Sequence, residues 1–199
     1  KMEPKLSMRT FKGYPELPTN DKINTIHFLN ASREVVAAFE SFGKLFKPVV
    51  YDMNGNIEKL HKHYVLDKMR NQFLDDMLVD DAKNRRIIVE PLLWLKRALE
   101  MIEAFFTNIL SDTSSQEDLK QHIRDAYKST LQPYHGWIVQ EAFSMIYRWV
   151  PSRSQLFGHG EKHSENMQYL DIFLHPLRAH LQRLNNLYTA HSLHSTKKA

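Results

Sequence analysis

Asp52-x3-Asn56-x2-Lys59 sets three different polar side chains four and seven residues apart. At about 100° per residue on an α-helix, those steps return to one narrow stripe. The stripe holds a pure acceptor, an amide that both donates and accepts, and an ammonium with three protons to give. Such a set suits the vicinal hydroxyls and amide of a polar organic ligand better than a metal or a phosphate. A solvated helix face has the same composition, so the stripe acquires meaning only from its companions.

Trp94 lies in Leu92-Leu93-Trp94-Leu95-Lys96-Arg97-Ala98-Leu99. Periodicity allows a core tryptophan; it equally allows an aromatic platform, because a ring face attracts the slightly positive C–H face of a sugar. His135 and Trp137 lie in Tyr134-His135-Gly136-Trp137-Ile138-Val139-Gln140. A neutral imidazole at His135 can donate to a carbonyl or simply be a satisfied side chain. Trp137 has the amphipathic ring that favours a head-group boundary. Trp149, at a helix end before Pro151, reads as packing. His61-x-His63 and His159-x3-His163 lack a companion carboxylate at a zinc spacing and read as solvated histidines. Asp75-Asp76 and Asp80-Asp81 read as a solvated helix end and loop. No nucleophile elbow, P-loop or dinucleotide fingerprint is present.

The elements that must position these residues are helices. Apolar residues recur at three- and four-residue intervals almost throughout, without internal repeats or strand alternation. Thr19-Asn20-Asp21 predicts the cap of a helix to about Phe42, ended by Gly43. Pro48 opens the helix that carries Asp52, bending near Gly55. Helices are predicted over about 67–79, 84–110 with Pro91 kinking or restarting it, 117–130 from a Ser114-Ser115-Gln116-Glu117 start, 133–150, and 164–193 with a bend at Pro176. The class is all-α, one domain of six to eight helices over 19–199, with an N-terminal extension over 1–18 that has no assignable role.

Composition narrows the function further. The chain has 199 residues, 42% hydrophobic and 25% charged, enough for one large core. Twenty-seven Lys and Arg against 23 acids give a net charge of +4. That is mild help toward an anionic membrane surface, and the interleaved signs contain no basic run for nucleic acid. The absence of cysteine excludes disulfides, thiolate catalysis and cysteine-ligated zinc. A start at Lys1 suggests a trimmed N-terminus, and 1–18 has no apolar signal core. The most hydrophobic stretch, 87–110, is interrupted by Glu90, Lys96, Arg97, Glu100 and Glu103, too many charges to span a bilayer unaided. The expectation is a cytoplasmic monomer that touches membrane surfaces transiently, with no metal or cofactor.

Taken in order and separation, the Asp52-Asn56-Lys59, Trp94-Leu95-Lys96-Arg97 and Tyr134-to-Gln140 blocks resemble the glycolipid transfer protein family. The resemblance runs from about Asn20 to His191, although only the three blocks are specific. It implies a two-layer helical sandwich of about eight helices with a hydrophobic lipid pocket between the layers. It also implies roles: Asp52, Asn56 and Lys59 hydrogen-bond the head-group sugar, and Trp94 stacks under its first ring. Asp52 and His135 hold the ceramide amide N–H and carbonyl, and Trp137 docks on the membrane. The implied cargo is a glycosphingolipid of the glucosyl-, galactosyl- or lactosylceramide class, carried without turnover chemistry. Ceramide-1-phosphate carriers of the same fold place a Lys where Asn56 stands and an Arg where Trp94 stands. Cations suit a phosphate; an amide and an aromatic face suit a neutral sugar. One departure concerns the end of the chain. The family pattern has a pocket-lining Tyr near its C-terminus, whereas His194-Ser195-Thr196-Lys197-Lys198-Ala199 is polar. Three rival readings remain: a phosphosphingolipid carrier or sensor, a glycolipid hydrolase with Asp52 or His135 as base, and a ligand-free helical adaptor.

Overall fold

The computed structural model describes residues 2–199. It is an all-α, two-layer arrangement of eight α-helices: α1 (Thr25–Glu40), α2 (Lys47–Leu66), α3 (Leu74–Lys83), α4 (Val89–Ser111), α5 (Lys120–Thr130), α6 (Trp137–Tyr147), α7 (Arg153–Phe157) and α8 (Gly160–Ala190). The α4 helix is central. It packs against α2, α5 and α8, and thirteen of its 23 residues are buried, so it meets neighbours on nearly every side.

Several helix ends differ from their predicted positions because tertiary bonds override local signals. The α1 helix starts about a turn later than the Thr19-Asn20-Asp21 cluster suggests, capped by the Asn24 side chain, which accepts from His27 N at 3.1 Å. Residues before it are held extended by an antiparallel bridge, Thr25 N to Gln72 O and Leu74 N to Ile23 O. The α4 helix starts at Val89, not near Asn84, because the Asp81 carboxylate accepts from Ile87 N and Ile88 N at 3.0 and 2.8 Å. Pro91 then falls in the first turn, where its missing N–H costs no intrahelical bond. The helix predicted over 133–150 is split: Gln132–Tyr134 forms a tight 3₁₀ turn, and α6 follows from Trp137. The short α7, with a reciprocal capping box between Ser152 and Gln155, was not foreseen. The α2 helix runs unbroken through Gly55.

Two of the acids read as solvated are buried anchors. Asp75 accepts from Ile23 N at 2.8 Å and from Arg183 at 2.6 Å. Asp81 caps α4 as described. The second of the pair is the more exposed in one case and the less exposed in the other, and sequence spacing carries no sign of that. His163 is only partly solvated: it is half-buried, and its Nε2 is enclosed without a hydrogen-bond partner, with the Phe157 ring nearby.

The N-terminal stretch, which the sequence leaves without a role, packs as a strap. Lys5 N and Leu6 N donate to Gln155 O and Leu156 O, both at 2.9 Å. Leu6, Met8 and Tyr14 are buried in the core. One side chain locks this strap to α8: Asn166 accepts from Met8 N at 2.8 Å and donates to Leu6 O at 3.2 Å and Phe157 O at 2.9 Å. Asn166→Ala leaves three buried backbone groups without that partner, and an unsatisfied buried group costs about 1–3 kcal/mol. The expected result is a loss of about 2 kcal/mol or more in urea-induced unfolding; an unchanged midpoint contradicts the assigned lock.

Candidate functional site

The front half of α2, the first turns of α4, and α6 wall a cavity of about 660 Å³. Asp52, Asn56, Lys59, Trp94 and His135 all line it, so five sequence-predicted residues from three separate blocks converge. Trp137 does not line the cavity; it stands outside with 75% of its surface exposed. The deeper wall is apolar, with Met53 from α2, Leu131 from the end of α5, and Val139, Phe143 and Ile146 from α6.

The α2 stripe has the form the spacing predicts. Pro48 sits in its first turn, where a fixed φ favours helix initiation. Asn56 is only 7% exposed, yet its amide makes no hydrogen bond among the described residues, nor does the Asp52 carboxylate or the Lys59 ammonium. Of the three only Asn56 is buried, and buried polar groups are almost always paired, so its amide is the one that most needs a partner from the cavity, with the more exposed Asp52 and Lys59 beside it. Asp52 faces the cavity and has protein on its other sides. Desolvation raises its pKa, and the charge of Lys59 offsets this only in part.

His135 is held in one orientation. Its Nδ1 lies 2.9 Å from the Tyr127 hydroxyl. Burial pushes the Tyr127 phenol up to about 12, so it stays protonated and can donate. The His135 pKa is lowered by burial and by the nearby Arg97, which keeps the imidazole neutral. With the Tyr127 O–H donating to Nδ1, the tautomer assigned to His135 carries its proton on Nε2. That Nε2–H is a free donor beside the apolar wall. Tyr127 is itself fixed by stacking on Phe143, with centroids 4.1 Å apart and rings 5° from parallel.

Trp94 is half-buried and stacks near His135 at 5.8 Å and 20°. Behind it lies Arg97, 3% exposed, with its guanidinium 5.0 Å from the Trp94 ring and 3.5 Å from the Tyr134 ring. Arg97 also donates to Ser195 O at 2.5 Å. The polar tail thus returns to the site instead of leaving it: Ala199 N donates to Tyr134 O and Gly136 N to Ala199 O, both at 2.9 Å, and Ala199 lines the cavity. These contacts are made by backbone, which side-chain polarity does not reveal.

Sequence reasoning missed Tyr127 and Arg97 as positioning groups, and Arg86 and Glu90 as residues of the cavity mouth. Arg97 had a signal, its place in the Trp94 block. Arg86 had none: its φ of 55° is a left-handed conformation imposed where Arg86 N donates to Asp81 O at 2.7 Å. No group of three or more His, Cys, Asp or Glu able to hold a metal ion occurs among the described residues. No helix of the described residues is long and apolar enough to cross a membrane.

Comparison with known proteins follows the same lines. The family model described as glycolipid transfer protein (GLTP) matches residues 23–162. The rat pleckstrin homology domain-containing family A member 8 is 30% identical over 95% of this chain, which spans only 39% of that relative's length. Among solved structures, one that describes how FAPP2 selects simple glycosphingolipids using the GLTP fold superposes with a TM-score of 0.85 at 27% identity, covering 96% of this chain and 99% of that one. HET-C2, a fungal glycolipid transfer protein, superposes with a TM-score of 0.83 at 27% identity, over 92% and 96% of the two chains.

The partly desolvated Asp52 carboxylate yields a pH-dependent test. Its pKa is raised in the folded state, so the fold carries no penalty from Asp52 below the ordinary value of 3.8. The penalty grows as pH rises from there through the raised native value, and is full above it. Asp52→Asn is therefore expected to raise the thermal unfolding midpoint of the lipid-free protein at pH 7, and the gain should vanish as pH falls below about 3.8. A lower midpoint at pH 7 contradicts an unpaired, desolvated carboxylate.

Proposed function

The chain belongs to the glycolipid transfer protein family, whose members are non-enzymatic lipid carriers, and on that premise we propose that it binds glycosphingolipids and moves them between membranes through the cytosol. One observation carries this reading. Three adjacent polar side chains, Asp52, Asn56 and Lys59, stand without internal partners at the mouth of a cavity whose depth is apolar. An amphiphile with a hydroxyl-rich head and hydrocarbon chains matches both halves of that cavity.

In this reading Asp52 accepts from sugar hydroxyls and from the ceramide amide N–H. Asn56 both donates and accepts, Lys59 donates, and Trp94 offers its ring to the C–H face of the first sugar. The His135 Nε2–H donates to the acyl carbonyl, and the chains follow the wall of Met53, Leu131 and Phe143 inward. Trp137, exposed one residue beyond the Gly136 that follows His135, docks on the membrane while the cargo passes. The neutral amide of Asn56 and the aromatic face of Trp94 favour a sugar over a phosphate, because neither can balance two negative charges.

The energetic need for such a carrier is large. Each buried methylene is worth roughly 0.8 kcal/mol, so a two-chain lipid faces a barrier on the order of 20 kcal/mol to cross water alone. A protein that offers an apolar cavity at the membrane surface removes most of it. Nothing is consumed, so transport runs down the gradient of free lipid and requires no cofactor.

Selectivity follows from polar groups that a wrong lipid leaves unpaired, an effect of about 1–3 kcal/mol per group. Asp52→Val and Trp94→Ala are each expected to lower transfer of a fluorescent glucosyl- or galactosylceramide between vesicles by roughly tenfold or more, with circular dichroism unchanged. Tyr127→Phe, which frees His135 to rotate and change tautomer, should cost severalfold. Near-normal transfer by the Asp52 or Trp94 variant removes this assignment of the site, and preferential competition by ceramide-1-phosphate favours the phosphosphingolipid reading instead.

A further inference from the structure

The α6 helix has apolar side chains on two faces, and only one face has a partner. Val139, Phe143 and Ile146 line the cavity. Ala142 lines it too. About a quarter turn from the cavity face, Ile138 and Met145 form a second stripe, which Trp149 continues in the turn after the helix; steps of seven and four residues keep them aligned. Ile138 and Met145 are each 65% exposed and Trp149 67%. The sequence assigns Trp149 to packing, but its indole makes no hydrogen bond or ring contact among the described residues. Glu141 is the single charged side chain in the eleven residues of α6. A helix apolar on two faces is built for burial on both.

We propose that Trp149 is a second interfacial anchor, and that α6 lies along the surface of an anionic phospholipid bilayer with Trp137 and Trp149 at the two ends of the contact. This deepens the proposed function: only the Trp137 end rests on that reading, and the Trp149 end rests on exposure and charge. Twelve residues at 1.5 Å rise separate the two rings by about 18 Å along the helix, long enough to set α6 parallel to the membrane rather than on its tip. An indole, with its apolar body and polar N–H, partitions to the boundary between head groups and chains.

The choice of a bilayer over a protein partner rests on charge. A cleft of about 580 Å³ beside Trp149 is bordered by Lys5, Lys120 and Arg148. Its acids are already engaged: Glu117 accepts from Ser154 N and Oγ, and Asp118 accepts from Lys120 N. Lys120 and Arg148 make no ion pair among the described residues. Arg124, 5.4 Å from the Tyr147 ring, adds a third cation at this end of α6. Cations flanking an apolar stripe are the pattern that anionic head groups attract.

The test uses the full chain and vesicles of about four parts phosphatidylcholine to one part phosphatidylserine without glycolipid. In a Trp94→Phe, Trp137→Phe protein, Trp149 is the only fluorophore of its kind. Its emission should shift to the blue on adding vesicles and be quenched by lipids brominated high on their acyl chains. Trp149→Ala in the otherwise intact chain should weaken vesicle partitioning by roughly five- to twentyfold, with circular dichroism and affinity for a water-soluble short-chain glycolipid unchanged. Because one assay lacks glycolipid and the other lacks vesicles, failure of docking and failure of cargo binding are separately visible. Emission from Trp149 that neither shifts nor is quenched, or partitioning of the Trp149→Ala protein equal to the parent's, overturns the proposal and leaves the face for a protein partner.

Discussion

A buried guanidinium between two aromatic rings holds the site in shape. Arg97 is almost fully enclosed, and taking such a charge from water is expensive unless other contacts compensate. Here the compensation comes from the π faces of Tyr134 and Trp94 and from the Ser195 carbonyl. Each of these partners belongs to a different part of the site. Trp94 lines the cavity from α4, Tyr134 leads into the loop that presents His135, and Ser195 brings the tail back to the cavity. Placing a lysine there would keep a charge but lose the planar group that fits between two rings. Arg97 thus ties the Trp94 block of α4 to the Tyr134 block and to the C-terminal tail. A second buried cation, Lys96, meets Glu100 one turn on, so α4 keeps its charges paired or stacked inside the core.

Around that frame the two halves of the cavity are balanced against each other. The apolar half gains from any hydrocarbon and discriminates weakly, since one methylene changes little. In the proposed function the polar half discriminates strongly because its groups are kept without internal partners, at a cost to the lipid-free fold that a correct head group relieves. The raised Asp52 pKa is the mark of that cost. His135 shows the opposite strategy: Tyr127 satisfies one ring nitrogen so that the other can only donate. Read together, a fixed acceptor at Asp52 and a fixed donor at His135 suit the N–H and C=O of one amide.

How much of this is legible in the sequence depends on the distance between partners. The α2 stripe is legible because its three residues are local, and helical spacing alone puts them on one face. The all-α class follows from the same periodicity. Trp94 and His135 are ambiguous by themselves and gain meaning only from the order and separation of their blocks. The rest depends on contacts that no local pattern encodes. Asn166 fastens Leu6 and Met8 across some 160 positions, Asp81 moves the start of α4, and Arg86 reaches the cavity mouth through a left-handed turn. Trp149 misleads for a different reason: periodicity shows that it aligns with Ile138 and Met145, but not which side of α6 the core occupies.

The central claim is that unpaired polar groups at an apolar cavity select a sugar-headed sphingolipid. The most direct measurement is native mass spectrometry of the protein after incubation with vesicles containing equal amounts of glucosylceramide, ceramide-1-phosphate and unglycosylated ceramide. The account predicts one bound glucosylceramide per chain as the dominant species, with ceramide poorly retained because Asp52 and Asn56 stay unpaired. Dominant capture of ceramide-1-phosphate, equal capture of ceramide, or a protein that emerges empty contradicts it.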